Sequence, residues 1–373
     1  MVSMLDCIRR VPERLKWILD HREKTFHPLD DRFGGLMEAA DELVLIGCGT
    51  SNTSAVTARY PAQRAAGVRV TPVLPGEFLN EKAVRNPNAL YAFVSQTGTS
   101  TLTRDALKEA RRLGYRTVAV SESPDTPLAR EADVFLDMGC GHEEYPMRTI
   151  GYSASVLTLV LLGLWMGERK GTVSPQARDA CLADAARAAR QIPAVIDQTL
   201  AWLNRERRQM LRSDCLVFTG VGALYGVALE ASVKVWETPQ IISLAYELEE
   251  GLHAPNYGYT ERHCVIVLND GGVDSQKARS LCAYMKNEKH NGFLIGADVL
   301  DEHDLPFECT GSLDCLVFAA ATQTMAYQLA VSQGRDLFAP HDNRVMYSYF
   351  DTHNETGRAA KQGPAVQEKG ERK

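Results

Sequence analysis

Two loops rich in hydroxyl side chains are the first features of this sequence that could bind an anion. They are Gly47 to Ser54 (GCGTSNTS) and Ser95 to Thr103 (SQTGTSTLT), and each follows an apolar run and precedes a helical stretch. Hydroxyls and backbone N–H groups beside the positive end of a helix suit a phosphate without many lysines. Such residues are commonly only N-caps, but six hydroxyls in the nine residues of the second loop exceed what capping needs. A dinucleotide site is disfavoured, because Asn52 stands where a GxGxxG motif has its third glycine.

A second group of reactive side chains lies further along the chain. Glu230, Lys234 and Glu237 are spaced by four and three residues on one face of a predicted helix, which Pro239 ends. His253 follows in a glycine- and proline-containing loop. A carboxylate and an imidazole could move protons on a sugar skeleton. The spacing of Glu230 and Lys234 equally favours a solvated ion pair on the helix surface, so the residues alone do not choose a reaction.

Alternating strands and helices must position these loops. Glu42 to Thr50 reads as a buried strand running into a glycine turn, and a first helix is predicted over Leu5 to Glu23. Further strands are predicted at Val68 to Val73, Leu90 to Val94, Arg116 to Val120 and Val134 to Leu136. The alternation predicts βαβ units and a parallel sheet.

The second half of the chain repeats this pattern. Gly47 and Gly98 are 51 positions apart, and so are Gly220 and Gly271. At 373 residues the chain exceeds the usual limit of one hydrophobic core. We predict an α/β protein with two tandem doubly wound, flavodoxin-like parallel-sheet halves and connecting helices. The predicted segments are a helical N-terminus (1–34), a first half (35–170), connecting helices (171–205), a second half (206–350) and a disordered tail (351–373).

Composition excludes several classes of function. The formal net charge is −6 without a clustered basic face, so we expect no nucleic-acid partner. The apolar segment Ser153 to Met166 is shorter than the ~20 residues of a membrane span, so we expect a buried helix and no membrane contact. Nine cysteines without a CxxC pair fit reduced thiols in the cytoplasm. We expect neither a metal nor a cofactor.

Five segments, in this order along the chain, resemble the sugar isomerase (SIS) family. The resemblance is to the isomerase half of glucosamine-6-phosphate synthase and to the fructosamine-6-phosphate deglycases. The matching segments are CGTS (Cys48 to Ser51), SQTGTS (Ser95 to Ser100), ALEASVKVWE (Ala228 to Glu237), EGLHAP (Glu250 to Pro255) and VSQGRDL (Val331 to Leu337).

The resemblance implies a role for each group of residues. Glu237 matches the proton-shuttling base, and His253 matches a histidine that assists ring opening or proton transfer, often from the neighbouring subunit. Glu230 and Lys234 match supporting positions. The implied phosphate cradle is Ser95, Gln96, Thr97 and Ser100, with Thr50 and Ser51 near the sugar. A homodimer or dimer of dimers is implied, with the loop Glu250 to Tyr259 reaching across the interface.

Departures from the family pattern narrow the implied activity. The chain begins directly with the sugar-binding region, so no glutaminase domain is expected. The ring-opening lysine of the synthase has no match in Pro340 to Asn354, and Thr99 replaces the usual acidic residue of the phosphate loop. A fructosamine-6-phosphate deglycase is therefore expected. An aldose–ketose isomerase, an amino-sugar-phosphate deaminase, a sugar-phosphate-sensing module and a scaffold protein remain alternatives.

Overall fold

The computed structural model describes residues 2–338 together with Tyr349, Thr352 and His353. The predicted tail (351–373) and the segment Pro340 to Asn354 lie outside the described residues, apart from those three. The strands are β1 (Glu42–Ile46), β2 (Arg69–Val73), β3 (Leu90–Val94), β4 (Arg116–Ser121), β5 (Val134–Asp137), β6 (Cys215–Gly220), β7 (Ile242–Glu247), β8 (His263–Asn269), β9 (Gly292–Gly296) and β10 (Leu305–Pro306). The helices are α1 (Met4–Asp20), α2 (Arg22–Phe33), α3 (Thr50–Ala66), α4 (Pro75–Asn80), α5 (Thr101–Arg112), α6 (Pro127–Glu131), α7 (Ile150–Lys170), α8 (Pro175–Arg212), α9 (Ala223–Glu237), α10 (Leu248–Leu252), α11 (Ser275–Glu288) and α12 (Cys315–Ser332).

The strands form two five-stranded sheets of the same topology. Their orders are β2-β1-β3-β4-β5 and β7-β6-β8-β9-β10, and every pair is parallel. This is the flavodoxin-like order, and it confirms the predicted fold class. The duplication is in strict register, because β1, β2, β3 and α3 each begin 173 positions before β6, β7, β8 and α9 respectively. The first strand begins at Glu42 as predicted, and the four further strands predicted in this sheet begin and end within one residue of the observed limits.

A helical layer joins the two halves into one core. Helices α3 and α9 pack against each other at very short range. Gly226 of α9 makes this possible, since a Cβ atom there would lie 2.2 Å from Oγ1 of Thr57 in α3. Buried apolar residues from α1, α3, α7, α8, α9 and α12 belong to a single hydrophobic cluster. Loops of one half are thereby held against helices of the other.

The apolar segment near residue 160 belongs to a longer helix than expected. Helix α7 has 21 residues, and it and α12 are the described helices long and apolar enough to cross a membrane. The apolar window of α7 is completely buried inside the protein, and that of α12 is 78% buried. The prediction that the segment is too short for a membrane span is therefore wrong, while the prediction of a buried helix is confirmed.

The first predicted helix is in fact two helices. Its start is fixed by a capping box between Ser3 and Asp6. Its end comes earlier than predicted, because His21 leaves the helical conformation and stacks on Trp17 at 4.3 Å between ring centroids. A new helix then begins at Arg22. Periodicity continues across His21, so the break could not be seen in the pattern.

Candidate active site

The loop Ser95 to Ser100 lies between the carboxyl end of β3 and the start of α5. Gly98 has a φ of +63°, and a Cβ atom there would lie 2.4 Å from Cβ of Thr126. Only glycine fits, and it seats the loop against the start of α6. Thr97 Oγ1 lies 2.8 Å from Thr99 Oγ1, and Ser100 is also only partly buried. The loop presents hydroxyls beside the N-terminus of a 12-residue helix, an arrangement that suits a phosphate.

Gln96 is turned away from the solvent side of this loop. Its Nε2 donates hydrogen bonds to Glu122 Oε2 (3.2 Å) and to Glu143 Oε2 (3.4 Å). The buried carboxylate of Glu143 also accepts hydrogen bonds from the three backbone N–H groups of 149–151 at the start of α7. The side chain of Gln96 therefore fixes the loop to α7. Sequence reasoning missed Glu143, although an acidic residue just before a long apolar helix is a recognisable signal.

The loop Gly47 to Ser54 lies at the carboxyl end of β1. A Cβ atom at Gly47 would lie 2.7 Å from Cβ of Ser51, so the turn needs glycine there. Ser51 is partly buried in the first turn of α3. The Oγ1 of Thr50 contacts the second half of the chain, where it lies 3.2 Å from Lys234 Nζ. The predicted sugar-side loop is therefore tied to the predicted catalytic helix.

Three charged side chains of α9 form a cluster at this junction. Lys234 Nζ lies 3.1 Å from Glu230 Oε1 and 2.7 Å from Glu237 Oε2. Thr53 of α3 donates a 2.5 Å hydrogen bond to Glu230 Oε2. The side chains of Lys234 and Glu230 have no exposed surface, whereas that of Glu237 is 37% exposed. The interpretation of Glu230 and Lys234 as a surface pair is wrong, because α3 covers this face of α9.

Burial and the neighbouring charges shift the pKa values of Lys234 and Glu230 in opposite directions. Burial alone would lower the pKa of Lys234, but the adjacent carboxylates of Glu230 and Glu237 outweigh it and raise that pKa above its usual value. Burial raises the pKa of Glu230, and Lys234 and the Thr53 hydroxyl partly oppose this effect. Lys234 is therefore an ammonium group at neutral pH. It holds the carboxylate of Glu237, the solvent-accessible member, in a fixed position.

His253 and Glu237 lie at opposite ends of the second sheet. Its side chain is 73% exposed, and its Nε2 lies 3.1 Å from Glu249 Oε1. Helices α3 and α9 run antiparallel, because Gly226 meets Thr57 while Lys234 meets the first residue of α3. The 15 residues of α9 span about 22 Å, and β7 returns over a similar distance. One chain therefore does not bring His253 to Glu237.

Two further features beside the loops were not found from the sequence. Burial raises the pKa of Tyr145 to about 12, with smaller contributions from charged and polar neighbours that include Glu237. The Tyr145 hydroxyl is buried and has no hydrogen-bond partner in the described part of the chain.

Ser100 pairs in antiparallel fashion with His353, and the Thr101 N–H donates to the Thr352 carbonyl. These two residues were assigned to a disordered tail, which is wrong for them.

The arrangement offers hydroxyls, helix N-termini and one accessible carboxylate. Among residues 2–338, no three His, Cys, Asp or Glu side chains are grouped as metal ligands would be. All nine cysteines lie in this range, and all are unpaired. The hydroxyls and helix N-termini could bind an anion, and the accessible carboxylate could transfer a proton.

The chain is similar in sequence to known proteins. Residues 36–165 match the SIS domain family model. The glutamine–fructose-6-phosphate aminotransferase [isomerizing] of Symbiobacterium thermophilum is 29% identical over 318 residues, covering 82% of this chain and 51% of that protein. The chain thus spans about half the length of the curated relatives it matches.

Solved structures share the fold across nearly the whole chain. A structure from Clostridium difficile 630, provisionally assigned as a phosphosugar isomerase, has a TM-score of 0.85 at 23% identity, covering 95% of this chain and 100% of that one. The C-terminal domain of glucosamine-fructose-6-phosphate aminotransferase from Francisella tularensis has a TM-score of 0.80 at 19% identity, covering 90% and 96%. Residues 36–165 are therefore similar to SIS domains, and the chain has the two-sheet fold of these structures.

Proposed function

We propose that this chain is an enzyme acting on a sugar phosphate, and that its reaction is the deglycation of a fructosamine 6-phosphate. The observation that carries the proposal is the Glu230–Lys234–Glu237 cluster. Through Lys234, this cluster connects the accessible carboxylate of Glu237 to Thr50 in the first loop. That loop lies beside the loop Ser95 to Ser100, whose hydroxyls suit a phosphate. The proposed products are glucose 6-phosphate and a free amino acid.

The proposed reaction is a proton shuttle followed by hydrolysis. The carboxylate of Glu237 removes a proton from C1 of the open-chain substrate. The C1–H electron pair becomes the C1–C2 double bond, and the C2 oxygen takes a proton to give an enaminol. Return of the proton to C2 gives an imine at C1, and water adds there. The C1–N bond then breaks and releases the amine.

Lys234 is proposed as a positioning residue for this step. Its ammonium group donates to Glu237 at 2.7 Å and is itself anchored by Glu230 and Thr50. A base fixed in this way has little freedom to turn away from the substrate carbon. The hydroxyls of Ser95, Thr97 and Ser100 would hold the phosphate at the other end of the substrate.

A homodimer or a dimer of dimers is part of the proposal. His253 stands exposed about one helix length from Glu237 of its own chain, so it could reach such a carboxylate only in another copy. Tyr257, in the same loop, is 91% exposed and could anchor it on a partner. A cytoplasmic location is also proposed, on the basis of the cysteine pattern.

The direct test is incubation with fructoselysine 6-phosphate, following the release of glucose 6-phosphate. Glu237→Gln keeps the shape but cannot accept a proton, and it should lower kcat about 10²–10⁴-fold. Glu288→Gln, an exposed glutamate on α11, is the matched control and should retain full activity. A Glu237→Gln enzyme with near-normal kcat would overturn the assignment of the base.

Subunit mixing tests the shared site. Glu237→Gln and His253→Ala proteins should each be inactive, and reassociated mixtures should contain some dimers with one site that has both wild-type residues. Activity should then reappear. No recovery after proven subunit exchange would overturn the shared site and would mean that both residues act within one chain.

An aldose–ketose isomerase is the second candidate. The same base and phosphate loop would serve it, and relatives with the word isomerizing in their names share this stretch of chain. Turnover of fructose 6-phosphate without turnover of fructoselysine 6-phosphate would favour this activity.

A further inference from the structure

A large cavity lies at the carboxyl end of the second sheet, away from the loops described above. Its volume is about 680 Å³, within the range of small-molecule sites. It is lined by the first turns of α9 and α11 and by one face of α3. Its charged lining residues are Arg59, Arg64, Glu247, Asp270, Asp274 and Asp314.

The cavity occupies the position in the second half that the phosphate loops occupy in the first. With the 173-position register, Gly49 corresponds to Gly222 and Gly98 to Gly271. The φ angles of the first pair are +57° and +60°, and those of the second pair are +63° and +79°. The backbone that forms the candidate phosphate cradle is thus present a second time.

The side chains of this second cradle have changed in character. Thr97 and Ser100 correspond by the same register to Asp270 and Val273. A carboxylate in place of a donating hydroxyl repels a phosphate and attracts an ammonium group. The loop of the second half is therefore suited to a cation.

The face of α3 that lines the cavity is suited to a carboxylate. Arg59 and Arg64 are exposed on α3, and neither forms an ion pair with a carboxylate among residues 2–338. The guanidinium of Arg59 lies over the ring of Tyr60, 4.9 Å from its centroid, which restricts its position. The N-terminus of the 15-residue helix α9 faces the same space. Guanidinium groups and helix N-termini are preferred partners of carboxylates.

We propose that this cavity is a second ligand site, and that it binds a free α-amino acid as a zwitterion. The carboxylate lies at Arg59, Arg64 and the start of α9, and the ammonium group lies at Asp270 and Asp274. The amino acid released in the proposed reaction belongs to this class. That link rests on the proposed function, whereas the binding itself does not.

Binding is measured without turnover, so the two proposals can fail separately. The wild-type chain is titrated calorimetrically with each of the proteinogenic L-amino acids. Cadaverine, which lacks the carboxylate, and glucose 6-phosphate, which lacks the ammonium group, are the comparison probes. At least one amino acid should bind saturably to the wild type. The Arg59→Ala/Arg64→Ala variant and the Asp274→Asn variant should each bind this amino acid about 10- to 100-fold more weakly.

Two control variants separate this cavity from the rest of the molecule. Arg208→Ala removes an exposed arginine of α8 and should leave amino-acid binding unchanged. Ser95→Ala, in the first half, should also leave it unchanged. The proposal is overturned if no amino acid binds, if the Arg59→Ala/Arg64→Ala protein binds as the wild type does, or if cadaverine or glucose 6-phosphate binds this cavity equally well.

Discussion

Replacing Lys234 with methionine tests whether the buried cluster is organised as described. The ammonium group of Lys234 has no exposed surface and is the cation that contacts both Glu230 and Glu237. Methionine fills a similar volume without the charge. The carboxylate of Glu230 would then remain buried, with the hydroxyl of Thr53 as its closest remaining donor.

Lys234→Met should lower the free energy of unfolding by a large amount, because the buried carboxylate of Glu230 loses its charged partner. Removing one member of a buried ion pair typically costs about 3–5 kcal/mol, whereas an exposed i,i+4 pair contributes about 0.3–0.5 kcal/mol. For a chain of 373 residues unfolding in one step, this corresponds to about 4–6 °C in Tm. Lys16→Met is the matched control, because Lys16 forms an exposed i,i+4 pair with Asp20.

The assay is urea and thermal denaturation of wild type, Lys234→Met, Lys16→Met and the double variant Glu230→Met/Lys234→Met. The double variant should recover most of the loss, since it leaves no unpaired buried charge at these positions. Burial raises the pKa of Glu230 and Lys234 opposes that rise, so removing Lys234 should raise this pKa further. The stability contributed by a group with a raised folded pKa is present below its unfolded pKa and is lost as pH rises through the folded one. The deficit of Lys234→Met should therefore grow from pH 5 to pH 8. A variant as stable as wild type at both values would refute the cluster.

Three other variants probe the loops and the junction. Ser95→Ala with Thr97→Ala should raise KM for a phosphorylated substrate while binding of the unphosphorylated sugar changes little; equal weakening of both would mean the loop is only structural. Gly226→Ala should destabilise the fold by about 1–3 kcal/mol, because its Cβ would collide with Thr57 at 2.2 Å, and an unchanged urea midpoint would contradict this packing. Glu143→Ala should cost about 1–3 kcal/mol by freeing the α7 N-terminus and should also raise KM through the adjacent loop; a loss of stability with unchanged KM would separate the two roles.

The fold was largely readable from the sequence because its signals are local. A short apolar run ending in glycine specifies a buried parallel strand followed by a turn, and β1 and β6 carry this pattern. The equal spacing of Gly47 to Gly98 and of Gly220 to Gly271 predicted a duplication, which extends to whole strands. Helix limits were less accurate. The break at His21 is accompanied by a ring stack on Trp17, and a periodic pattern contains no information about it.

The candidate site could be predicted only in part from the sequence, because the burial of a helix face depends on which elements pack against it. The four-residue spacing of Glu230 and Lys234 is the same whether their helix faces water or another helix. The covering element, α3, lies about 180 residues earlier in the chain, and its close approach depends on Gly226. A glycine one turn before Glu230 is the one local sign that another backbone passes there. Charged residues near such a glycine in a predicted helix are therefore better interpreted as a buried junction than as a surface pair.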